Sequence, residues 1–265
     1  MLAETQFGQW SRKMPAPFIS YVLRSPDSPL DSSSFPGNLK FVSNLRLQFD
    51  HPVTFFVGEN GSGKSTLLEA IAVVAGLPIA GGGTNELGAS HGLNEKSLLA
   101  DALRVGFKRR PKDGYFLRAD LQPHFASLLD QREADPDFLD NPYKLYGGGQ
   151  LHRLSHGEAF LAIMKNRFTQ GLFLLDEPES ALSPQRQLSL LALIHELASH
   201  GNAQFIIATH SAILLTYPDA QIVSFDEGEL NQISLAETSH YQITKGILQS
   251  PEAYWKHLRN HEDEP

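Results

Sequence analysis

Glycines, a lysine and two hydroxyl residues follow one another at short spacing in residues 58–66. This segment matches the pattern G-x-x-x-x-G-K-[ST] between the apolar run VTFFV and a stretch rich in helix-forming residues. Glycines let successive backbone N–H groups converge on phosphate oxygens at a helix N-terminus. Lys64 adds a mobile positive charge for the β- and γ-phosphates, and the Ser65 hydroxyl can bind Mg²⁺. The predicted nucleotide-binding residues are Gly58, Glu59, Asn60, Gly61, Ser62, Gly63, Lys64, Ser65 and Thr66.

Two adjacent carboxylates follow a second apolar run, residues 172–175. If that run is a buried parallel strand, the carboxylates emerge at its carboxyl end, where a doubly wound sheet binds its ligands. We expect Asp176 to hold Mg²⁺ through water and Glu177 to polarise the water that attacks the γ-phosphate.

Apolar runs and helical segments alternate along the chain, which predicts an α/β fold with a mostly parallel sheet and helices on both faces. Glycine and proline after residue 75 end one helix, while Ser183 and Pro184 begin another. Two extended runs, 17–25 and 44–58, enclose a loop over residues 25–37. The patterns predict helices over 64–75, 98–105, 156–168 and 184–200 and strands over 172–175 and 204–208.

Composition limits the class of protein. The chain has 265 residues, 30 acidic and 22 basic side chains and no cysteine, so disulfide scaffolds and thiolate metal sites are excluded. No apolar run reaches the roughly 18 residues that a membrane helix needs, and the N-terminus has no secretory pattern. We therefore expect a cytoplasmic protein in which any contact with nucleic acid is local.

Three further segments carry a resemblance: LSHGE at 154–158, ESALS at 179–183 and THS at 209–211. In this order, after the phosphate loop, they resemble the ATP-binding cassette ATPase superfamily over residues 53–215. The resemblance implies ATP and Mg²⁺ as cofactors and a homodimer when ATP is bound. It implies one domain over residues 1–265, with an antiparallel N-terminal part and a small helical subdomain, 77–153, on the side of the LSHGE signature.

The same resemblance implies roles for individual residues. Ser155 and Gly157 belong to the signature motif and contact the γ-phosphate held by the opposite subunit. Residues 180–183 form the loop that crosses the dimer interface. His210 contacts the γ-phosphate and the attacking water, so the implied catalytic residues are Lys64, Glu177 and His210. Ser155 and Glu158 also form a capping-box pattern, which by itself would only begin a helix.

More narrowly, GENGSGKSTLLEAIA, GYFLRAD, SHGE, LLDEPESALSPQRQ and IATHSAILL resemble the compact bacterial AAA-family ATPases of the 21/23 type, which are allied to recombination-repair ATPases. Glu158 stands where transporter cassettes commonly have glutamine, and Ser183 stands where aspartate is usual. Two positions stay open: Asp120 or Gln122 for the glutamine loop, and Tyr21 or Phe35 for stacking on adenine.

A basic segment interrupts the acidic chain. Residues 104–118 contain six basic side chains and one acid, Asp113. They could contact nucleic acid phosphates, or they could form an ordinary solvated loop.

These observations predict an ATPase that dimerises around Mg-ATP and hydrolyses it. A DNA-associated protein of repair or defence type is favoured by Glu158 and the basic segment. The alternatives are the detached nucleotide-binding subunit of a membrane transporter and a nucleotide-switched binding module.

Overall fold

The computed structural model describes residues 17–28, 30–84, 97–120, 122–136, 141–149 and 153–260. The strands are β1 (Ile19–Arg24), β2 (Arg46–Gln48), β3 (Val53–Val57), β4 (Gly82–Gly83), β5 (Leu103–Phe107), β6 (Gly114–Arg118), β7 (Gly171–Asp176), β8 (Ala203–Ala208), β9 (Gln221–Ser224) and β10 (Asn231–Ile233). The α-helices are α1 (Lys64–Val74), α2 (Leu98–Asp101), α3 (Gln122–Ala134), α4 (His156–Arg167), α5 (Pro184–Ser199), α6 (Ser239–Gln249) and α7 (Pro251–Asn260).

The larger sheet has the strand order β10-β9-β3-β8-β7-β6-β4. Strands β9, β3, β8, β7 and β6 are parallel, and the two edge strands pair antiparallel to them. Every residue of β3, β7 and β8 is buried, as expected for strands that are covered on both faces. The predicted α/β fold is therefore confirmed.

Alternation along these strands divides the core into two layers. Phe55 and Phe205 belong to the layer that contains residues of α4 and α5, whereas Phe56 and Ile206 belong to the layer that contains residues of α1. Successive side chains of a strand point to opposite faces, so the helices must lie on both sides of the sheet.

A smaller antiparallel sheet has the order β2-β1-β5 and forms the predicted N-terminal β part. The helix predicted over 98–105 is wrong in its second half, because α2 ends at Asp101 and β5 begins at Leu103. The physical reason is the period-two alternation of Leu103, Val105 and Phe107, which pack on the core layer of α1 while the strand pairs with β1.

Residues 77–153, the predicted signature-side subdomain, contribute to both sheets in their described part. Strand β5 joins the smaller sheet and β6 pairs with β7 in the larger one. A short 3₁₀ helix, Lys144–Tyr146, packs near α4. No helix in the described ranges is both long and apolar enough to cross a membrane.

Candidate functional site

The phosphate loop, the Asp176–Glu177 pair and His210 lie at one edge of the larger sheet. Ala208, the last residue of β8, is in register with Phe56 of β3 and with Asp176 of β7. Strand β3 leads into the phosphate loop, β7 ends at the Asp176–Glu177 pair, and β8 is followed by Thr209 and His210. The carboxyl ends of these three neighbouring strands therefore bring together side chains from distant parts of the chain.

Backbone conformation explains the glycines of the loop. Gly58, Gly61 and Gly63 have φ angles of 140°, 79° and 99°, in a region that side chains disfavour. A Cβ on Gly63 would also lie 2.6 Å from the Phe41 ring. Gly63 is the N-cap of α1, so the loop delivers the chain into a helix N-terminus. Among the remaining predicted residues, Asn60 is exposed and Thr66 is half-buried.

Asp226, two residues after the end of β9, hydrogen-bonds to the backbone of the phosphate loop. Its Oδ1 accepts a 2.9 Å hydrogen bond from the N–H of Glu59, and its Oδ2 accepts one of 3.0 Å from Ser224 Oγ. A Cβ on Gly58 would lie 2.9 Å from the same Oδ1. The sequence analysis missed Asp226, although a carboxylate after the apolar run of β9 repeats the signal that identified Asp176.

Lys64 is 4% exposed, and its ammonium is held inside the loop. The Nζ donates hydrogen bonds to the carbonyl oxygens of Gly58 at 2.7 Å and Glu59 at 2.9 Å, so the charge is fixed rather than mobile. Burial lowers the pKa of Lys64, while the charge of Glu177 acts in the opposite direction. The buried Ser62 Oγ has no hydrogen-bond partner among the described residues, which fits a loop built to bind phosphate oxygens.

Ser65 and Asp176 form the candidate Mg²⁺ site. The Ser65 hydroxyl donates a 2.9 Å hydrogen bond to Asp176 Oδ1. Asp176 is 8% exposed, and burial raises its pKa to about 7, partly opposed by the Ser65 hydrogen bond and the charge of Arg118. A buried carboxylate that lacks full charge compensation, beside a hydroxyl oxygen, offers the hard oxygen ligands that Mg²⁺ prefers.

Arg118, at the end of β6, links this site to two acidic residues. Its guanidinium contacts Glu69 Oε1 at 2.5 Å and Asp120 Oδ2 at 3.1 Å. Asp120, one candidate for the glutamine loop, is therefore an ion-pair partner of Arg118. The side chain of Gln122, the other candidate, lies outside the described residues.

The two candidates for adenine stacking have different surroundings. The Tyr21 ring lies so close over Gly106 that a Cβ there would overlap it. Phe35 is 64% exposed and precedes a cis proline, Pro36. The adenine contact stays a prediction for both residues.

Glu177 lies beside His210 at the carboxyl end of β7. Glu177 Oε1 is 3.6 Å from His210 Nε2, and the N–H of Glu177 donates to the carbonyl of Ala208 at 3.0 Å. Glu177 has a φ of 47°, a left-handed conformation that costs free energy in a non-glycine residue and is typical of functional sites. The carboxylate and the imidazole therefore face a common space.

Glu179 ties the predicted interface loop to the His210 loop. Its carboxylate accepts hydrogen bonds from the N–H of His210 at 2.5 Å and from Thr209 Oγ1 at 2.7 Å. Burial raises the pKa of Glu179, and these two hydrogen bonds oppose that effect. Sequence reasoning placed Glu179 in a family motif but assigned it no function.

Ser155 and Gly157 lie at the N-terminus of α4. The N–H and Oγ of Ser155 both donate to Glu158 Oε2, at 2.9 and 2.6 Å, so the predicted cap forms. A Cβ on Gly157 would lie 2.7 Å from the carbonyl oxygen of Ala181. Arg186 Nη1 approaches Ser155 Oγ at 3.4 Å. The signature segment therefore packs against the predicted interface loop of its own chain.

The basic segment begins on β5, crosses the connection to β6 and ends on β6. Arg104 pairs with Asp27 and Arg118 with Glu69. The connection contains four exposed cations that have no ion pair with any described residue: Lys108, Arg109, Arg110 and Lys112. Arg109, Arg110 and Lys112 lie near the amino ends of β6, β7 and β8, at the opposite edge of the sheet from the phosphate loop.

Two sequence-family models match the chain. One, described as "AAA domain", matches residues 37–112 and includes the phosphate loop. The other, described as "AAA domain, putative AbiEii toxin, Type IV TA system", matches residues 149–216 and includes Ser155, Asp176, Glu177 and His210.

Curated relatives share about a quarter of their residues with the chain. The sulfate/thiosulfate import ATP-binding protein CysA of Mannheimia succiniciproducens is 26% identical over a 217-residue alignment, and the match covers 74% of this chain and 58% of that protein. The maltose/maltodextrin import ATP-binding protein MalK of Photorhabdus laumondii is 27% identical over a 221-residue alignment, and the match covers 77% of this chain and 56% of that protein. The chain thus spans a little over half the length of these relatives.

Among solved structures, the SMC head domain from Thermotoga maritima aligns with a TM-score of 0.42 and 18% identity, over 82% of this chain and 98% of that one. The family matches and curated relatives agree with the motif order and with the convergence of the motifs at one sheet edge. Together these findings support a P-loop ATPase of the ATP-binding cassette superfamily, whose members bind ATP with Mg²⁺ and hydrolyse it.

Proposed function

We propose that the chain hydrolyses Mg-ATP at a site that two copies complete when they close around the nucleotide. The observation that carries this proposal is the convergence of two pairs at one sheet edge. Ser65 lies 2.9 Å from Asp176, and Glu177 lies 3.6 Å from His210. The first pair suits a metal ion, and the second suits a water that must lose a proton.

Each residue has a separate part in the reaction. The backbone N–H groups of the phosphate loop and the Lys64 ammonium bind the phosphates of ATP. Ser65 and Asp176 hold Mg²⁺, which neutralises phosphate charge when it is bound. Glu177 accepts a proton as a water oxygen bonds to the γ-phosphorus and the bond from that phosphorus to the ADP oxygen breaks. His210 orients the carboxylate and the γ-phosphate from the side of β8.

A second helix N-terminus supports a dimeric site. The N-terminal turn of α4 has backbone N–H groups that can bind an anion, and Ser155 and Gly157 lie in that turn. In a head-to-tail dimer, this turn would bind the γ-phosphate held by the phosphate loop of the other copy. Hydrolysis then removes the group that both copies bind, so the dimer opens.

The Glu177→Gln variant tests this cycle. The amide keeps the shape of the side chain but accepts no proton, so the closed dimer should accumulate with Mg-ATP and should not form with ADP. Size-exclusion chromatography and phosphate release measure the two effects. Glu196→Gln, which changes an exposed carboxylate on α5, is the matched control and should behave like wild type. Hydrolysis by Glu177→Gln at the wild-type rate would overturn the role of Glu177, and a dimer insensitive to nucleotide would overturn the cycle.

A DNA-associated role is a further part of the proposal, and the exposed cations between β5 and β6 support it. The Arg109 guanidinium lies 4.4 Å from the Phe18 ring centroid, and that of Arg110 lies 4.8 Å from the Phe107 ring centroid. Stacking holds both arginines without neutralising them. Such a group of cations can contact DNA phosphates without reading the base sequence.

ATPase assays with double-stranded DNA test this role. We expect DNA to stimulate hydrolysis and the stimulation to fall steeply with salt. Changing Lys108, Arg109 and Arg110 to Ala should remove the stimulation, whereas changing Lys144, Lys165 and Lys256 to Ala removes equal charge elsewhere and should retain it. If DNA does not stimulate ATP hydrolysis by the wild-type protein at low salt, the result would instead favour the alternative suggested by the relatives' names, an ATP-binding subunit of a transporter.

A further inference from the structure

His240, which no motif includes, forms a pair with His210. The His210 Nδ1 and His240 Nε2 atoms lie 2.9 Å apart, and the ring centroids lie 5.0 Å apart. The two residues are 30 positions apart in the chain. The opposite nitrogen of His210, Nε2, lies 3.6 Å from Glu177 Oε1. The three side chains therefore form a row that ends at the proposed base.

Two consecutive caps fix the position of His240. Ser234 donates from both its N–H and its Oγ to Glu237, each at 2.7 Å. Thr238, the N-cap of α6, accepts a 3.3 Å hydrogen bond from the N–H of Tyr241 and donates to the Leu235 carbonyl at 2.8 Å. His240 lies in the first turn after this cap. Its ring is thus carried by a segment whose backbone is well held.

The surroundings of both imidazoles favour the neutral form over the charged form. Burial lowers the pKa of His210, and the nearby Lys64 charge lowers it further, although Glu177 acts in the opposite direction. Burial and the neighbouring His210 lower the pKa of His240, while Asp226 opposes them. The positive end of the α6 dipole also disfavours a charged His240. Because His210 Nδ1 and His240 Nε2 are at hydrogen-bond distance, one of the two neutral rings must donate a hydrogen bond to the other.

The surroundings select the direction of this hydrogen bond. If His210 donated from Nδ1, its Nε2 would present a lone pair to the Glu177 carboxylate. His240 would then carry its proton on Nδ1, a buried atom that has no hydrogen-bond partner among the described residues. If His240 donates from Nε2, His210 carries its proton on Nε2 and presents it to Glu177. In the second arrangement His210 Nε2, which also has no hydrogen-bond partner among the described residues, directs its proton toward the Glu177 carboxylate 3.6 Å away. This arrangement replaces the repulsion between the His210 lone pair and the carboxylate with an attraction, and it leaves His240 Nδ1 unprotonated.

We propose that His240 is a positioning residue that donates its Nε2–H to His210 Nδ1 and holds His210 with its proton on Nε2, directed toward Glu177. Its consequence for catalysis rests on the proposed function, because that proton is the one His210 would offer to the base and the γ-phosphate. The assignment of the proton positions does not depend on ATP hydrolysis.

Nitrogen NMR of the nucleotide-free protein labelled with ¹⁵N-histidine tests the proton positions directly. We expect His210 to show a protonated Nε2 and an unprotonated Nδ1, with the His210→Gln spectrum identifying its signals. In His240→Phe, which keeps a ring but no donor, His210 should become a mixture of both neutral forms. A wild-type His210 protonated on Nδ1, or a His210 spectrum unchanged in His240→Phe, would overturn the proposal even if the protein hydrolyses no ATP.

Steady-state kinetics test the consequence. His240→Phe should lower kcat by about tenfold to a hundredfold, the range seen when the outer partner of a functional histidine is lost, with ATP affinity unchanged within about twofold. His240→Gln retains a side-chain N–H donor and should recover most of kcat. His200→Gln, an exposed histidine at the end of α5, is the control. Equal losses in His240→Phe and His240→Gln, with unchanged thermal unfolding, would overturn the donor role. Wild type without ATPase activity would contradict only the proposed function.

Discussion

The Ser65 hydroxyl donates a 2.9 Å hydrogen bond to Asp176 Oδ1 across 111 positions of the chain. Ser65 lies in the first turn of α1, and Asp176 ends β7. The contact joins the phosphate loop directly to the carboxyl end of β7, without a metal ion between them. The buried carboxylate already has one hydroxyl partner there, and a divalent cation would supply the remaining charge compensation.

Asp176→Asn should remove the metal dependence of nucleotide binding. The amide occupies the same volume but has no negative charge, so Mg²⁺ loses its anionic partner. Calorimetry should show that Mg²⁺ no longer strengthens ATP binding, while the unfolding temperature without ligand is unchanged or higher. A variant in which Mg²⁺ still strengthens ATP binding to the wild-type extent would contradict the assignment of Asp176.

Lys64→Ala should weaken ATP binding by about 10-fold to 100-fold, the equivalent of one charge-assisted contact of roughly 1.5–3 kcal/mol. The fold should persist, because Lys64 Nζ hydrogen-bonds to loop carbonyls rather than to the core. Calorimetry measures the affinity and circular dichroism measures the fold. Lys165→Ala is the control, and wild-type affinity in folded Lys64→Ala would exclude this lysine as a phosphate contact.

Ser155→Arg, introduced together with Glu177→Gln, should abolish the ATP-dependent dimer without preventing ATP binding by the monomer. A bulky side chain at the start of α4 would block the approach of the partner's phosphate. Multi-angle light scattering gives the mass, and fluorescent ATP gives the affinity. A full-sized dimer in the double variant would show that this turn does not meet the nucleotide of the other copy.

Glu179→Ala should lower both stability and turnover. It leaves the His210 N–H and the Thr209 hydroxyl without their acceptor, and unpaired buried donors cost about 1–3 kcal/mol each at most sites. Urea unfolding should show a loss of that order, and kcat should fall because the His210 loop is no longer held. Unchanged urea stability would mean that solvent replaces the carboxylate.

Local patterns determined much of this protein. The phosphate loop and the caps of α4 and α5 depend on residues a few positions apart, and the apolar runs of β7 and β8 are visible without any partner. Because strands that run parallel expose their carboxyl ends at one edge, the sequence also predicted that Asp176 and Glu177 would face the phosphate loop. The family resemblance implied the same place for His210.

Tertiary structure decided what local spacing does not encode. Leu103 to Phe107 became a strand because β1 offered it hydrogen bonds and a core face, against the predicted helix. Asp226 reaches Glu59 across 167 positions, and Glu179 and His240 each reach the His210 loop across about 30 positions. Such contacts depend on the order and twist of the strands that carry them, since a side chain selects its distant partner only after the sheet has brought both residues to the same edge.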